Sequence, residues 1–253
     1  MYEHRTSNIE HRTSKWDSPQ PPLDVRCSTF SNRSLLPAPR SPTPPMTRNH
    51  AIKFVAKPAV FLALLAPFLL MAYQAAFGGL SANPIEDVLD RSGRWGLRIL
   101  LLSLAVTPLS RLKGWKVVMR FRRMVGLFAF FYLALHFLIY LGLDRFFSLQ
   151  DILEDVTVRP FITVGFTSLM LLVPLATTST KKMIKRLGAK RWTQLHRLVY
   201  FAAIGGVVHY IWAVKLDTRE PVIYAVILAV LLALRIPMWI EQFKRRKPRP
   251  KAA

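Results

Sequence analysis

The chain has 253 residues, 52% of them hydrophobic, and a formal net charge of +22. A soluble domain rarely combines these properties, and a nucleic-acid binder would carry its charge on a folded polar surface, so the pairing indicates a membrane protein that binds no nucleic acid. The one cysteine, Cys27, stands in a polar segment, which excludes a disulfide framework, a cysteine-ligated iron-sulfur cluster and the paired thiols of c-type haem attachment.

Residues 1–45 are rich in Pro, Ser and Arg, repeat "EHRTS" and cannot bury a core, so they read as a disordered tail. They lack the order of a secretory signal. Met46 opens "MTRNHAIKF", and translation is expected to begin there. Six apolar stretches follow, near 54–77, 95–112, 124–143, 160–178, 194–213 and 221–240. Each is about long enough to cross ~30 Å of hydrocarbon as a helix at ~1.5 Å per residue. The expected fold is all-α: a polytopic bundle of six transmembrane helices over residues 46–243, followed by a basic tail, 244–253. Pro58, Pro67, Pro108 and Pro174 fall in or beside these runs, where neighbouring groups can satisfy the freed carbonyls.

The connections sort by charge. "RLKGWKVVMRFRR" (111–123), "KKMIKRLGAKR" (181–191) and "KRRKPRPK" (244–251) each hold six Lys or Arg and no acid, whereas the alternate connections carry most of the acidic residues. The positive-inside rule therefore places both termini and the basic loops of a multi-pass protein in the cytoplasm. The basic runs also suit anionic membrane lipids.

Three of the six histidines fall within spans: His136 in the third, His196 and His209 in the fifth. His4, His11 and His50 lie outside them. Ionisable residues in membrane helices are costly and mark function, although a neutral imidazole can simply hydrogen-bond between helices. None of the six stretches contains Asp or Glu, which argues against a proton-relay pump or ion-coupled transporter. Neutral imidazoles from two helices can instead hold a haem iron. Counting from the inner ends at ~1.5 Å per residue, His196 lies ~6 Å deep, His136 ~20 Å and His209 ~25 Å. His136 and His209 are thus expected to clamp one haem b in the outer half of the bilayer. On an ideal helix His196 points ~140° away from His209, unless a kink at Gly205 and Gly206 intervenes. A second, inner haem at His196 is left open, because the inner end of the third span offers Arg122 or Arg123 and no histidine. Arg191, Trp192 and Arg197 suit haem propionates or a flavin phosphate, or else an interfacial anchor belt. Tyr132, one turn before His136, suits either the haem pocket or ordinary packing.

"SGRWGLRILLLSLAVTPLSRL", "FRRMVGLFAFFYLALHFLIY", "VRPFITVGF" with "VPLATTST", "KRWTQLHRLVYF" and "VHYIWAVK" occur in this order over residues 50–243. Together they resemble the MsrQ (YedZ) family, the haem-binding membrane subunits of the MsrPQ periplasmic methionine sulfoxide reductase system. That family falls in the ferric-reductase-like transmembrane group. The resemblance implies haem ligation by His136, His196 and His209, FMN as a further cofactor, and a periplasmic molybdopterin subunit, MsrP, as partner.

No glycine-rich dinucleotide fingerprint follows a strand, so electrons are expected from a cytoplasmic flavin reductase or the membrane quinone pool. The expected role is that of a non-catalytic electron-transfer subunit. One rival is a cytochrome b with another acceptor, such as a ferric reductase or quinol-linked carrier. A histidine-based transporter or channel and a purely structural scaffold are the others.

Overall fold

A computed structural model describes residues 52–237, apart from 113, 115, 116, 215 and 216. The expectations for 1–45, the start at Met46, His50 and the tail at 244–253 lie outside the described residues. Helices dominate: α1 (Lys57–Phe77), α2 (Pro84–Leu112), α3 (Arg122–Ile139), α4 (Leu149–Val158), α5 (Pro160–Thr177), α6 (Lys181–Leu195), α7 (Leu198–Ala213) and α8 (Arg219–Ala233). A π-helical turn, Ile52–Ala56, leads into α1, and another, Tyr140–Asp144, extends α3. No strand occurs among the described residues.

Each of the six apolar stretches overlaps a helix, residues 238–240 of the last lying outside the described residues. Three continuous helical segments are long and apolar enough to cross a membrane: Phe54–Phe77, Arg122–Asp144 and Pro160–Thr177. The others are shorter, as α7 and α8 are, or carry ionised residues along their first half, as α2 does. Leu62, Leu70, Phe201 and Val226 all stand exposed on the outside of the bundle, an arrangement suited to lipid.

Three segments expected as connections are helical. α2 begins eleven residues before the expected span, because Pro84 suits a first turn and Glu86 and Asp87 face the positive end of the helix dipole. Arg91 pairs with Asp87 one turn on at 2.6 Å and, as the largest influence, holds that partly buried carboxyl below its ordinary value. α4 is capped by Ser148, whose Oγ accepts from Asp151 N, and α6 by Thr180, whose Oγ1 accepts from Met183 N. Gly188 interrupts α6 with φ 74°, a left-handed conformation that costs glycine little.

Packing forms two close helix pairs, α2 with α3 and α5 with α7, joined where α3 meets α5. Leu97, Leu100, Leu104, Ala129, Leu172 and Ala203 fill the core between them. Small residues set the closest approach: a Cβ on Gly205 would fall 2.1 Å from Ser168 Oγ. α7 runs through Gly205 and Gly206 without a break; Gly205 serves the close packing of α7 on α5, and Gly206 faces Leu97 of α2.

Tyr132 is fully buried and serves the fold. Its hydroxyl accepts from Phe68 N and donates to Leu64 O, both at 2.9 Å, entering the α1 hydrogen-bond ladder beside Pro67. Tyr132→Phe should therefore lower stability by about 1–3 kcal/mol, the cost of leaving a buried donor or acceptor unmet. Thermal unfolding in detergent reads this as a lower Tm with an unchanged visible spectrum. A spectral change without a Tm change would instead place the tyrosine in the cofactor pocket.

Candidate functional site

His136, on α3, and His209, on α7, approach each other from the two helix pairs, with ring centroids 6.1 Å apart and ring planes at 78°. His136 Nδ1 lies 2.9 Å from Leu89 O, and His209 Nδ1 lies 2.7 Å from Phe161 O. A carbonyl oxygen only accepts, so in each neutral ring Nδ1 carries the proton and Nε2 keeps its lone pair. Such a bond fixes both tautomer and ring orientation in metal-binding histidines. Ser92 Oγ, buried and donating to Leu89 O, also stands 3.5 Å from His136 Nδ1.

The backbone makes room for both rings. A Cβ on Gly93 would lie 3.0 Å from His136, and one on Gly165 would lie 2.6 Å from His209 Nδ1. Between the helix pairs lies a cavity of ≈ 270 Å³, lined by both histidines, Gly93, Gly165 and Gly206. Its walls are Leu97, Leu100, Leu133, Phe137, Phe166, Leu169 and Leu172, whereas Asp90, Arg94, Tyr140, Asp144, Arg145, Arg159 and Tyr210 supply polar lining near the ends of their helices.

Behind that polar end, α4 contributes a buried carboxylate. Asp155 accepts from Tyr140 Oη at 2.9 Å and lies 3.4 Å from Arg159 Nε. Arg145 Nε is 2.7 Å from Asp155 Oδ2, although its N–H is not aligned for a hydrogen bond. Asp155 falls outside the six apolar stretches, in a segment whose sequence reads as a connection. The cap signal Ser148 three residues before Asp151 could have revealed α4.

His196 stands apart from this pair and does not line the cavity. The expected fifth span is broken here: His196 caps the C-terminus of α6, and α7 starts two residues later. The ideal-helix angle between His196 and His209 therefore does not apply. Its ring stacks on Trp192 at 3.8 Å, and its Nδ1 is 3.0 Å from Trp192 O. The Trp192 indole donates to Thr178 O, which ties this junction to the end of α5. His196 Nε2 is buried without a hydrogen-bond partner, although the Leu175 carbonyl is close.

Could this arrangement hold a metal group? No cluster of three or more His, Cys, Asp or Glu suited to a metal ion occurs among the described residues. A bare ion is thus poorly served, but a macrocycle that needs only axial ligands is not. His136 and His209, facing each other across the cavity with both Nδ1 atoms committed to backbone carbonyls, would leave their Nε2 atoms to hold a haem iron. The pair fits haem.

The family model described as "Ferric reductase like transmembrane component" matches residues 92–207, which hold His136 and His196 and stop two residues before His209. The protein-methionine-sulfoxide reductase heme-binding subunit MsrQ of Rhodospirillum rubrum is 54% identical over 189 residues, covering 75% of this chain and 89% of its own. The protein of that name from Herminiimonas arsenicoxydans is 50% identical over 193 residues, 76% of this chain and 88% of its own. That from Caulobacter vibrioides is 46% identical over 177 residues, 70% of this chain and 84% of its own. With such identity over most of the length of each relative, this chain belongs to the MsrQ family of haem-binding subunits of protein-methionine-sulfoxide reductases, built on a ferric-reductase-like membrane domain.

Proposed function

We propose that the chain conducts electrons across the bacterial inner membrane, with His136 and His209 as the residues that would hold the iron of one haem b. The observation that carries this reading is the pair of imidazoles 6.1 Å apart, each with Nδ1 committed to a backbone carbonyl. When bound, haem b supplies a one-electron carrier. Leu89 and Phe161 hold the ring tautomers, Gly93 and Gly165 admit the rings, and the leucine and phenylalanine walls exclude water from the ligand pair. α1, α2, α3, α5, α7 and α8 make six spans over residues 46–243, with both termini and the basic connections in the cytoplasm.

Electrons arrive from a cytoplasmic flavin reductase or from the quinone pool, and leave to a periplasmic molybdopterin subunit, MsrP, that reduces methionine sulfoxide in oxidised proteins. The relatives' printed name supports the assignment to that system. FMN rests on the family resemblance alone; Arg191 and Arg197 suit a flavin phosphate, haem propionates or an interfacial anchor belt, and the Trp192 indole N–H is already donated to Thr178 O. The family-model description favours a second reading, a ferric reductase that shares the haem but delivers to iron.

A stopped-flow assay separates the two readings. Dithionite-reduced protein should be fully reoxidised by a catalytic amount of the molybdopterin subunit only while methionine sulfoxide is present, and far more slowly by ferric citrate. The opposite order would favour the ferric reductase.

The buried, unpartnered Nε2 of His196 supports an inner ligand position. His196→Ala should alter that inner end and leave the His136 and His209 haem in place, so part of the reduced b-type absorbance survives. Complete loss of haem would contradict the pairing.

A further inference from the structure

We infer that the groove between α1 and α3, which shares no lining residue with the histidine cavity, is a binding site for one anionic phospholipid of the inner leaflet. The groove has a volume of ≈ 570 Å³, and its lining contains three cations, no carboxylate and otherwise apolar side chains. The arrangement of those residues is the argument. Lys57, Phe61 and Leu65 follow one another at four-residue steps along α1; Arg123, Leu127 and Phe131 do so along α3; and Arg120, Met124 and Phe128 do so from the 3-10 turn Val118–Arg120 into α3. Four residues advance a helix by ~6 Å and return to nearly the same face. Three stripes thus run side by side, each with a cation at its inner end and two apolar residues deeper in the bilayer.

That gradient matches the two ends of a membrane lipid: a phosphodiester at the level of Lys57, Arg120 and Arg123, and an acyl chain along Phe61, Leu127 and Phe131. The aromatic walls are set by neighbouring contacts, with Phe61 and Phe128 edge to face at 5.1 Å and Phe128 against Phe131 at 6.4 Å. Lys57, Arg123, Phe61, Leu127 and Phe131 are all exposed, as a site entered from the surrounding lipid requires. Basic pockets between helices on the cytoplasmic side recognise anionic headgroups, and arginine can pair both its donors with phosphate oxygens. The chain's own segment 244–251 carries six Lys or Arg and no acid, so charge repulsion excludes it as occupant.

The test uses the full-length, cofactor-loaded protein, delipidated and titrated with phosphatidylglycerol or with phosphatidylcholine of the same acyl chains, and read by native mass spectrometry. One tightly held phosphatidylglycerol should remain at activation energies that strip phosphatidylcholine, with an apparent affinity about 10–100-fold higher. The combined variant Lys57→Gln, Arg120→Gln, Arg123→Gln should lose that preference. Removing the same charge from α6, with Lys181→Gln, Lys182→Gln and Lys185→Gln, should preserve it. If the combined variant does not fold, Arg123→Gln alone should weaken retention several-fold, since that exposed side chain supports no core contact. Equal losses in the groove and α6 variants would reduce the effect to diffuse attraction and overturn the proposal, as would absence of a phosphatidylglycerol preference. Inorganic phosphate at the lipid's concentration should not compete. Displacement by phosphate would show an anion site that needs no acyl chain, and would also overturn it.

Discussion

His136→Ala and His209→Ala are each expected to abolish low-spin haem binding at the pair, and the double variant is expected to retain none there. Removing a group that is merely hydrogen-bonded to a metal ligand costs about 10–100-fold in affinity, so removing the ligand itself should cost more. Loss of the His209 imidazole also leaves Phe161 O without that donor, whereas Leu89 O keeps Ser92 Oγ, so a modest fall in stability should accompany the spectral change in His209→Ala more than in His136→Ala. Electron paramagnetic resonance would show the bis-imidazole signal disappear in both single variants. Retention of an unchanged reduced b-type spectrum in the double variant would remove the pair from consideration.

A smaller change should produce nearly as large an effect. In Gly165→Ala the new methyl would fall 2.6 Å from His209 Nδ1, 2.9 Å from Cε1 and 3.1 Å from Cγ, so the imidazole must turn and give up its 2.7 Å bond to Phe161 O. Haem affinity should fall about 10–100-fold, the range for losing an orienting partner. The helix itself should not suffer, because alanine is favoured over glycine in a helix interior by about 1 kcal/mol. Gly126→Ala, where nothing lies within 4 Å of the added methyl, is the matched control and should keep full haem. Equal haem content in the two variants would show that the His209 orientation does not matter.

The pairing of His136 with His209 was legible because both lie on helices whose inner ends are marked by basic residues, so counting ~1.5 Å per residue places them at similar depth. The structure brings their rings together from α3 and α7. The break at His196 was not legible. The run from Trp192 to Trp212 is mostly apolar, with Thr193, Gln194, His196 and Arg197 gathered at its inner end, but periodicity carries no mark of a helix that ends and restarts, and the feature seen at the break is the stacking of His196 on Trp192. Helices in connections were hidden for the opposite reason: charge content drew attention to topology, while the cap residues Ser148 and Thr180 signalled helix starts. The role of Tyr132 depends on Pro67, 65 positions earlier, and a contact at that separation has no local signature. The same holds for Arg235, buried and donating to Leu104 O and Tyr200 Oη from the far end of the described chain.

Haem content per chain tests the central claim most directly. The protein should be expressed with ample porphyrin supply, purified in mild detergent, and assayed by reduced-minus-oxidised spectroscopy with pyridine haemochrome quantification. The account predicts a b-type Soret and α-band pattern with at least one haem per chain, lost when both His136 and His209 are replaced. A well-folded, colourless preparation under those conditions would contradict it.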